Sequence, residues 1–327
     1  MRVSLEQAVA SLRQGDVAVL PTETVYGLAG DATNPYAIAR IFEVKRRPAD
    51  NPLICHFPSI HAIFPYVKNI PEQTSLLMEA LCPGPISFML ELPEASPLFF
   101  ATCGSRQVIV RIPDHPVFLM ALEALQVPLA APSANTSGRL SPTHADMVEA
   151  DLGAAGIAVV DGGACRVGLE STIVDARKKG LIRILRPGAV GKQELQELLP
   201  GVVVQDGPAD ATVPGSRYRH YAPATPVYCI SKNDLDKLET GSLLILVDEQ
   251  LQDLPGNTSA EHWRSLHLFS LGRLADPEDL ARNFYRRLSD MDRLQKDAAF
   301  IVFPDFGKSS LEKALSDRLR RIVTLKD

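Results

Sequence analysis

The sequence predicts an α/β fold in which helices pack on a mixed, partly antiparallel sheet, followed by a second, smaller α/β domain. Short apolar runs of strand length alternate with amphipathic runs of helix length along 1–204. Some strand candidates follow one another directly, as Ser171–Asp175 and Leu181–Leu185 do, which is typical of antiparallel neighbours rather than of a regular doubly wound sheet. A chain of 327 residues is also long for one ordinary core.

The first domain, 1–204, begins with a helix for which Ser4 is the N-cap and Gln7 closes a capping box. Its strand candidates are Val17–Leu20, Pro52–Phe57, Ile86–Leu92, Val108–Ile112, Pro128–Ala131, Ile157–Val160, Ser171–Asp175, Leu181–Leu185 and Gly201–Val204. Its other helix candidates are Pro35–Arg46, Glu72–Leu81, Pro116–Leu125, Thr143–Leu152 and Lys192–Leu199.

A stretch rich in proline, glycine and alanine, 205–226, has no hydrophobic period and predicts an interdomain linker. Beyond it, 227–327 predicts a small α/β domain with a parallel sheet. Its candidate strands are Val227–Ile230, Ser242–Val247 and Ala298–Phe303, and its candidate helices are Asn233–Glu239, Pro277–Leu294 and Ser309–Ile322.

The composition narrows the class of protein. Hydrophobic residues make up 46% of the chain and charged residues 22%, which fits a globular protein and excludes disorder. The formal net charge of -5 provides no overall positive field for nucleic acid, although it allows a local basic pocket. The five widely spaced cysteines favour a reducing compartment and small buried thiols. Without a signal segment or a run of roughly 18 apolar residues, we expect a soluble cytoplasmic protein.

The usual nucleotide motifs GxxxxGKS/T and GxGxxG are absent, so five loop segments carry the candidate chemistry. Pro21–Leu28 follows a strand and offers hydroxyls, including that of Thr24, where α/β folds place ligands. A polar turn explains the same residues equally well. Lys45–Pro52 ends a helix with three cations. These cations either complement the helix dipole or clamp a triphosphate.

The remaining segments are equally ambiguous by themselves. His56 is either a core histidine or, beside the cations, a group that orients a substrate hydroxyl or carboxylate. Arg111 lies in an apolar strand, where it faces solvent or contacts an anion. Ala130–Thr143 is a capped loop or an anion site at a helix start. Asp161–Thr172 is a glycine-rich hairpin or a close approach to a ligand. Together, the five loops suit a phosphate-rich ligand.

The chain resembles the Sua5/YciO/YrdC family through seven motifs in order: PTETVYGL, KRRPADNPLICHF, PGPISFML, VRIPDHPV, PLAAPSANTSGRLSPT, DGGACRVGLESTIVD and ILRPG. The later PGSRYRHYAP resembles the interdomain loop of the long, two-domain Sua5 members, so the likeness covers residues 3 to 225. This resemblance implies a twisted, open α/β sheet around a basic cavity and a Rossmann-like C-terminal domain. It also implies that 205–226 carries a lid loop that folds over the nucleotide.

The resemblance implies a nucleotidyltransferase with L-threonylcarbamoyladenylate synthase activity. L-Threonine, bicarbonate and ATP would give threonylcarbamoyl-AMP, diphosphate and water, with Mg²⁺ on the phosphates. A separate transferase would place the threonylcarbamoyl group on adenosine 37 of tRNAs that read ANN codons. Stable binding of tRNA by this chain is therefore not expected.

Carried over position by position, the resemblance implies catalytic roles for Lys45 and Arg47. The implied ATP-binding residues are Lys45, Arg47, Asn51, Gln107, Ser133, Asn135, Ser141, Arg186, Tyr218 and His220. The implied L-threonine-binding residues are Thr24, His56, Arg111, Ala131 and Ser171. No residue is implied to ligate a metal. The chain departs from the family at Gln107, where threonine is frequent, and at Arg217, where lysine is commoner.

Two rival functions stay open at this point. One is an RNA-binding regulator, because related domains have been linked to RNA binding, although the net charge of -5 argues against a broad nucleic-acid surface. The other is a different carbamoyl or acyl adenylate enzyme on the same fold. Exchange of ATP with diphosphate in the presence of threonine, serine or glycine separates that case.

Overall fold

Ten strands form one sheet in the part of the chain that the computed structural model describes, which is 1–207, 213, 221–254 and 259–324. In chain order they are β1 (Ala18–Leu20), β2 (Gly27–Asp31), β3 (Ile54–His56), β4 (Ile86–Glu91), β5 (Gln107–Arg111), β6 (Leu129–Ala130), β7 (Ala158–Val159), β8 (Thr172–Asp175), β9 (Leu181–Arg186) and β10 (Val203–Asp206). Across the sheet the order is β10-β9-β8-β4-β5-β3-β6-β2-β1-β7.

Parallel and antiparallel neighbours are interspersed in this sheet. The pairs β10–β9, β8–β4, β5–β3 and β1–β7 are parallel, and the other neighbours are antiparallel. The predicted mixed sheet is therefore confirmed. The last strand, β10, continues to Asp206, two residues beyond the predicted end of the first domain at 204.

Helices cover both faces of the sheet. They are α1 (Leu5–Arg13), α2 (Pro35–Lys45), α3 (Glu72–Leu81), α4 (Pro116–Leu125), α5 (Ala145–Leu152) and α6 (Lys192–Leu198), with short 3₁₀ helices at His61–Tyr66 and Gly153–Ala155. Alternate residues of β1 show the two faces, because Val19 packs in one apolar cluster while Ala18 and Leu20 pack in another.

Local sequence signals fix the ends of two helices. The capping box of α1 is present, since Ser4 Oγ accepts from the Gln7 N–H at 3.3 Å and Gln7 Oε1 accepts from the Ser4 N–H at 2.9 Å. Helix α2 ends at Lys45, and Arg46 then adopts a left-handed conformation with φ of 49°. That turn directs Arg47 back towards the sheet.

Strand β2 was not predicted, because its sequence GLAGD lacks the large apolar residues of a typical strand. Close packing explains the glycines. A Cβ on Gly30 would lie 3.2 Å from Ile41 Cδ1 of α2, and a Cβ on Gly27 would lie 3.2 Å from Ala131 Cβ. Both neighbours approach the strand backbone more closely than a larger side chain would allow.

The C-terminal domain has a four-stranded, wholly parallel sheet, as predicted. Its described elements are β11 (Val227–Cys229), a 3₁₀ helix (Lys232–Lys237), β12 (Leu243–Leu246), α7 (Asp248–Gln252), α8 (Ala260–Ser265), β13 (His267–Ser270), α9 (Pro277–Asp292), β14 (Ala299–Ile301) and α10 (Ser310–Ile322). The predicted helix Asn233–Glu239 is the 3₁₀ helix. The short, half-exposed edge strand β13 was not predicted.

The two domains share apolar surface. Val25, Met147 and Leu169 of the first domain lie in the same buried cluster as the inward faces of α9 and α10. At its rim, Arg286 Nη1 lies 2.6 Å from Asp146 Oδ2. The C-terminal domain is therefore packed against the loop after β1, helix α5 and the loop that leads into β8.

Neither membrane-spanning helices nor disulfides occur in the described part of the chain. None of its helices is long and apolar enough to cross a bilayer. All five cysteine thiols are free. Burial raises the pKa of Cys55 to about 12, so this thiol is a neutral packing group rather than a nucleophile.

Phe88 tests the placement of the larger core, because it lies fully buried within β4. Replacing it with alanine should lower the free energy of unfolding by about 3–5 kcal/mol, the usual effect of truncating a buried phenylalanine. Phe100→Ala is the matched control, since that side chain is 60% exposed. Chemical denaturation followed by circular dichroism measures both, and equal small losses would contradict this core.

Candidate active site

A cleft forms where the loops that follow β1, β6 and α2 meet the C-terminal ends of β3, β5 and β9 and the loop that leads into β8. Its lining residues are Thr24, Val25, Arg47, Ile54, His56, Arg111, Ala131, Pro132, Ser133, Glu170, Ser171, Arg186 and Tyr221. The volume of this cleft is about 70 Å³, whereas pockets that hold a whole ligand typically span about 300–1,000 Å³. A nucleotide would therefore extend past its mouth.

Thr24 is held at the cleft by hydrogen bonds within its own loop. The Oγ1 atom of Thr22 accepts from the N–H groups of Thr24 at 3.1 Å and Val25 at 3.2 Å, and it donates to the Val25 carbonyl at 2.7 Å. The two threonine hydroxyls lie 2.8 Å apart. This turn fixes a fully buried hydroxyl beside the ligand space.

Lys45 lies behind the cleft wall rather than in it. Its Nζ donates to the carbonyl oxygens of Ser133 and Asn135, each at 2.5 Å. Burial, together with the charge of Arg47, lowers the Lys45 pKa well below its usual range. Lys45 therefore anchors the loop after β6 to α2 and places Ser133 in the cleft.

Arg47 reaches the cleft while its guanidinium is held by the next turn of the chain. Its Nε donates to the Asn51 carbonyl at 2.9 Å, and its Nη2 donates to Asn51 Oδ1 at 2.8 Å and the Pro52 carbonyl at 2.7 Å. Burial lowers the Arg47 pKa to about 10, which leaves it charged at neutral pH. Asn51 is thus a support for Arg47 and does not line the cleft.

Arg111 and His56 form a second polar group on the neighbouring strands β5 and β3. Arg111 Nη2 lies 2.7 Å from Glu23 Oε1 in a buried ion pair, and its Nε has no hydrogen-bond partner in the described ranges. The His56 ring lies 5.1 Å from that of Phe118, and its Nδ1 also lacks a partner there. Burial, with a contribution from Arg111, lowers the His56 pKa to about 3. A neutral imidazole next to a guanidinium suits a hydroxyl and a carboxylate.

Ser171 and Arg186 join β8 and β9 at the cleft. Arg186 donates to the Ser171 carbonyl from Nε at 3.1 Å and from Nη2 at 2.9 Å, and to Ser171 Oγ at 3.0 Å. Ser171 Oγ also lies 2.8 Å from Ser87 Oγ of β4. Burial lowers the Arg186 pKa, and the charges of Arg318 and Arg111 lower it further.

Besides Lys45 and Asn51, three further expected ATP contacts lie away from the cleft lining. Gln107 begins β5 opposite Glu91, roughly 13 Å along the strand from Arg111 at the usual rise per residue. Asn135 uses its Nδ2 on the carbonyls of Thr136 at 2.8 Å and Arg139 at 3.0 Å, so it shapes its own loop.

Ser141 is the third of these residues, and its Oγ donates to Glu170 at 2.6 Å. Tyr218 and His220 lie outside the described residues. Two cleft residues with polar side chains were not predicted from the sequence, Glu170 and Tyr221. Glu170 stands inside the glycine-rich segment Asp161–Thr172, and a carboxylate next to the expected Ser171 was the available signal.

Positive charge dominates this cleft. Arg47, Arg111 and Arg186 line it, and no ion pair in the described ranges joins Lys45 or Arg47 to a carboxylate. Buried like charges repel one another, so a bound anion would relieve an unfavourable arrangement. The residues can therefore hold an anionic ligand with a small polar group beside it.

The residues offer no dedicated metal cage. In the described part of the chain, no group of three or more His, Cys, Asp or Glu side chains could hold an ion. Glu170, which lines the cleft, already accepts hydrogen bonds from Ser141, Tyr285 and Arg318.

Two family profiles match the chain. One, described as telomere recombination, is the Sua5/YciO/YrdC profile and matches residues 10–188. The other, described as the threonylcarbamoyl-AMP synthase C-terminal domain, matches residues 190–322. Because the first alone covers more than half of the chain, the protein belongs to the Sua5/YciO/YrdC family. The second match gives it the two-domain form of that family.

Two relatives match this chain almost end to end. The threonylcarbamoyl-AMP synthase of Pyrococcus abyssi is 34% identical over 320 residues, or 96% of this chain and 92% of that protein. The Bacillus subtilis enzyme of the same name is 34% identical over 329 residues, or 97% and 92%. The crystal structure of P. abyssi Sua5 complexed with L-threonine has a TM-score of 0.82 at 31% identity, covering 100% of this chain and 98% of that one.

The pKa of His56 gives a prediction for solution. Its imidazole should stay neutral from pH 8 to pH 5, so its NMR chemical shifts should not move in that range. His56→Gln removes the signal and so assigns it among the seven histidines. An inflection near pH 6.5 in the assigned signal would show that the ring is not desolvated as described.

Proposed function

We propose that this protein joins L-threonine, bicarbonate and ATP into threonylcarbamoyl-AMP and diphosphate in the cleft of its first domain. It is a threonylcarbamoyl-AMP synthase, an enzyme of tRNA threonylcarbamoyladenosine biosynthesis. The observation that carries the proposal for the site is the convergence of Arg47, Arg111 and Arg186, from three separate segments, on one small cleft.

The chemistry needs no protein nucleophile. The threonine amine attacks the carbon of bicarbonate, which gives a carbamate and releases water. A carbamate oxygen then attacks the α-phosphorus of ATP, and diphosphate leaves. Both reaction partners are anionic, so the protein's contribution is to hold them together and to offset charge on the leaving group.

The cleft divides into two sides that suit these partners. Arg47 and Arg186 would contact phosphate oxygens, because a fixed guanidinium pairs well with phosphate. Arg111 would use its unpartnered Nε on the threonine carboxylate, and neutral His56 would hydrogen-bond the amino acid. Thr24, Ser171 and the backbone of Ala131 would complete the amino-acid side.

Lys45 suits a positioning role in this scheme. Its Nζ is occupied by two carbonyls of the loop after β6, so that it sets where Ser133 stands. Asn51 would likewise hold Arg47 in position, and Asn135 would hold the loop after β6. Of the expected catalytic pair, Arg47 would then contact the ligand, and Lys45 would act from behind the cleft wall.

Several properties extend the proposal beyond the cleft. ATP would enter with Mg²⁺ held by its phosphates. The product would pass to a separate tRNA transferase. An adenylate is readily hydrolysed in water, so the product should not remain free in solution. We place the enzyme in the cytoplasm, where ATP and reduced thiols coexist. The 205–226 segment would supply the lid, including Tyr218 and His220, which lie outside the described residues.

Arg47→Ala tests the assignment most simply. It should reduce threonylcarbamoyl-AMP formation at least about a hundredfold, the scale of removing a group that stabilises developing charge. The assay follows the product by mass spectrometry from threonine, bicarbonate and ATP. Serine and glycine in place of threonine define the amino-acid class.

Arg46→Ala is the matched control for that experiment. It removes a neighbouring arginine that does not line the cleft, so it should retain nearly full activity. Circular dichroism of both variants establishes that they are folded. Wild-type turnover by folded Arg47→Ala would refute the proposed site.

A further inference from the structure

One carboxylate of the cleft wall is held by the C-terminal domain. Glu170 Oε1 accepts from Ser141 Oγ at 2.6 Å, and its two oxygens lie 3.1 and 3.0 Å from the Tyr285 hydroxyl. Glu170 Oε2 also accepts from Arg318 Nε at 2.8 Å. Tyr285 and Arg318 belong to α9 and α10, far along the chain from the cleft.

Arg318 touches more of the cleft wall than this one carboxylate. Its Nη2 donates to the carbonyl of Pro187, the residue after Arg186, at 3.1 Å. Its guanidinium carbon lies 4.9 Å from the centre of the Tyr221 ring. The side chain is completely buried although it is charged. Three neighbouring parts of the cleft wall therefore depend on one side chain from the other domain.

The charge of Glu170 explains why such a partner is needed. A buried carboxylate on the wall of an anion-binding cleft repels the ligand unless a cation offsets it. Burial raises the pKa of Glu170, but the charges of Arg318 and Arg186 and the hydrogen bonds from Ser141 and Arg318 lower it overall. Glu170 thus stays ionised, and Arg318 is its direct ion-pair partner.

We propose that Arg318 and Tyr285 are positioning residues for nucleotide binding, which offset the charge of Glu170 and fix the wall around Ser141, Arg186 and Tyr221. The C-terminal domain then completes the ATP site without touching ATP. This inference rests on the proposed function, because it takes the anion in the cleft to be the triphosphate of ATP. It gives the C-terminal domain a role separate from that of carrying a lid.

The test is direct binding of a non-hydrolysable ATP analogue by calorimetry to full-length variants. Arg318→Gln leaves Glu170 without its ion-pair partner and should weaken binding at least about tenfold, the scale of one unscreened charge at an effective dielectric of about 20. Threonine affinity should change much less. Arg320→Gln, an exposed arginine on the same helix, is the matched control and should bind like the wild type.

A second substitution separates charge from general damage. Glu170→Gln added to Arg318→Gln removes the repelling charge and should recover most of the lost affinity. Lowering the pH from 8 to 5.5 should also improve binding to Arg318→Gln relative to the wild type, because Glu170 without Arg318 takes up a proton more easily. The double variant should show no such relative gain.

Other outcomes overturn the proposal. Unchanged analogue binding by Arg318→Gln would do so, as would a loss that Glu170→Gln does not recover. If Arg318→Gln does not fold, Tyr285→Phe decides, since it removes one hydroxyl and should weaken binding about fivefold, the scale of one hydrogen bond. A wild type that binds the analogue but makes no threonylcarbamoyl-AMP would refute the proposed function, while the variant series still decides this inference.

Discussion

Cationic side chains are buried in and behind the walls of the cleft, and their need for hydrogen-bond partners orders the loops around it. Burying a charged side chain costs free energy unless its N–H donors have hydrogen-bond acceptors. In this protein the acceptors are largely backbone carbonyls. Lys45 donates to the loop after β6, and Arg47 to the turn after α2. Carbonyls satisfy hydrogen bonds without cancelling a full charge, so the cleft keeps its positive potential. The loops are therefore held in place by the same side chains that make the cleft attract an anion.

The C-terminal domain takes part in the same arrangement. Arg318, a buried cation of the C-terminal domain, pairs with Glu170 of the first domain, and Glu170 lines the cleft. Apolar packing of Leu169 against α9 and α10 brings the pair together. The docking of the two domains therefore also determines the charge balance of the cleft.

Much of the fold could be predicted from the sequence, because hydrophobic periodicity and turn residues are local signals. The capping box of α1 and the parallel C-terminal sheet were of this kind. Strand β2 could not be predicted from local sequence, because the close approach of α2 requires glycine in this strand. Strand β13 is a short edge strand whose exposed residues carry no strong pattern.

The sequence predicted which loops form the site but not which way their side chains point. Ordered motifs located the loops, and eight of the expected residues line one cleft: Thr24, Arg47, His56, Arg111, Ala131, Ser133, Ser171 and Arg186. Sequence does not say which way a side chain points, so it could not show that Lys45 donates to the loop after β6 or that Ser141 donates to Glu170. The role of Glu170 depends on Arg318, 148 residues away, and such a pair has no local signature.

A crystal structure of the full-length protein with L-threonine and a non-hydrolysable ATP analogue would show whether the three arginines of the cleft hold both ligands. Phosphate oxygens should lie within hydrogen-bond distance of Arg47 and Arg186, and the threonine carboxylate should contact Arg111. Nucleotide bound at another surface, with the three arginines contacting neither ligand, would contradict the proposed site.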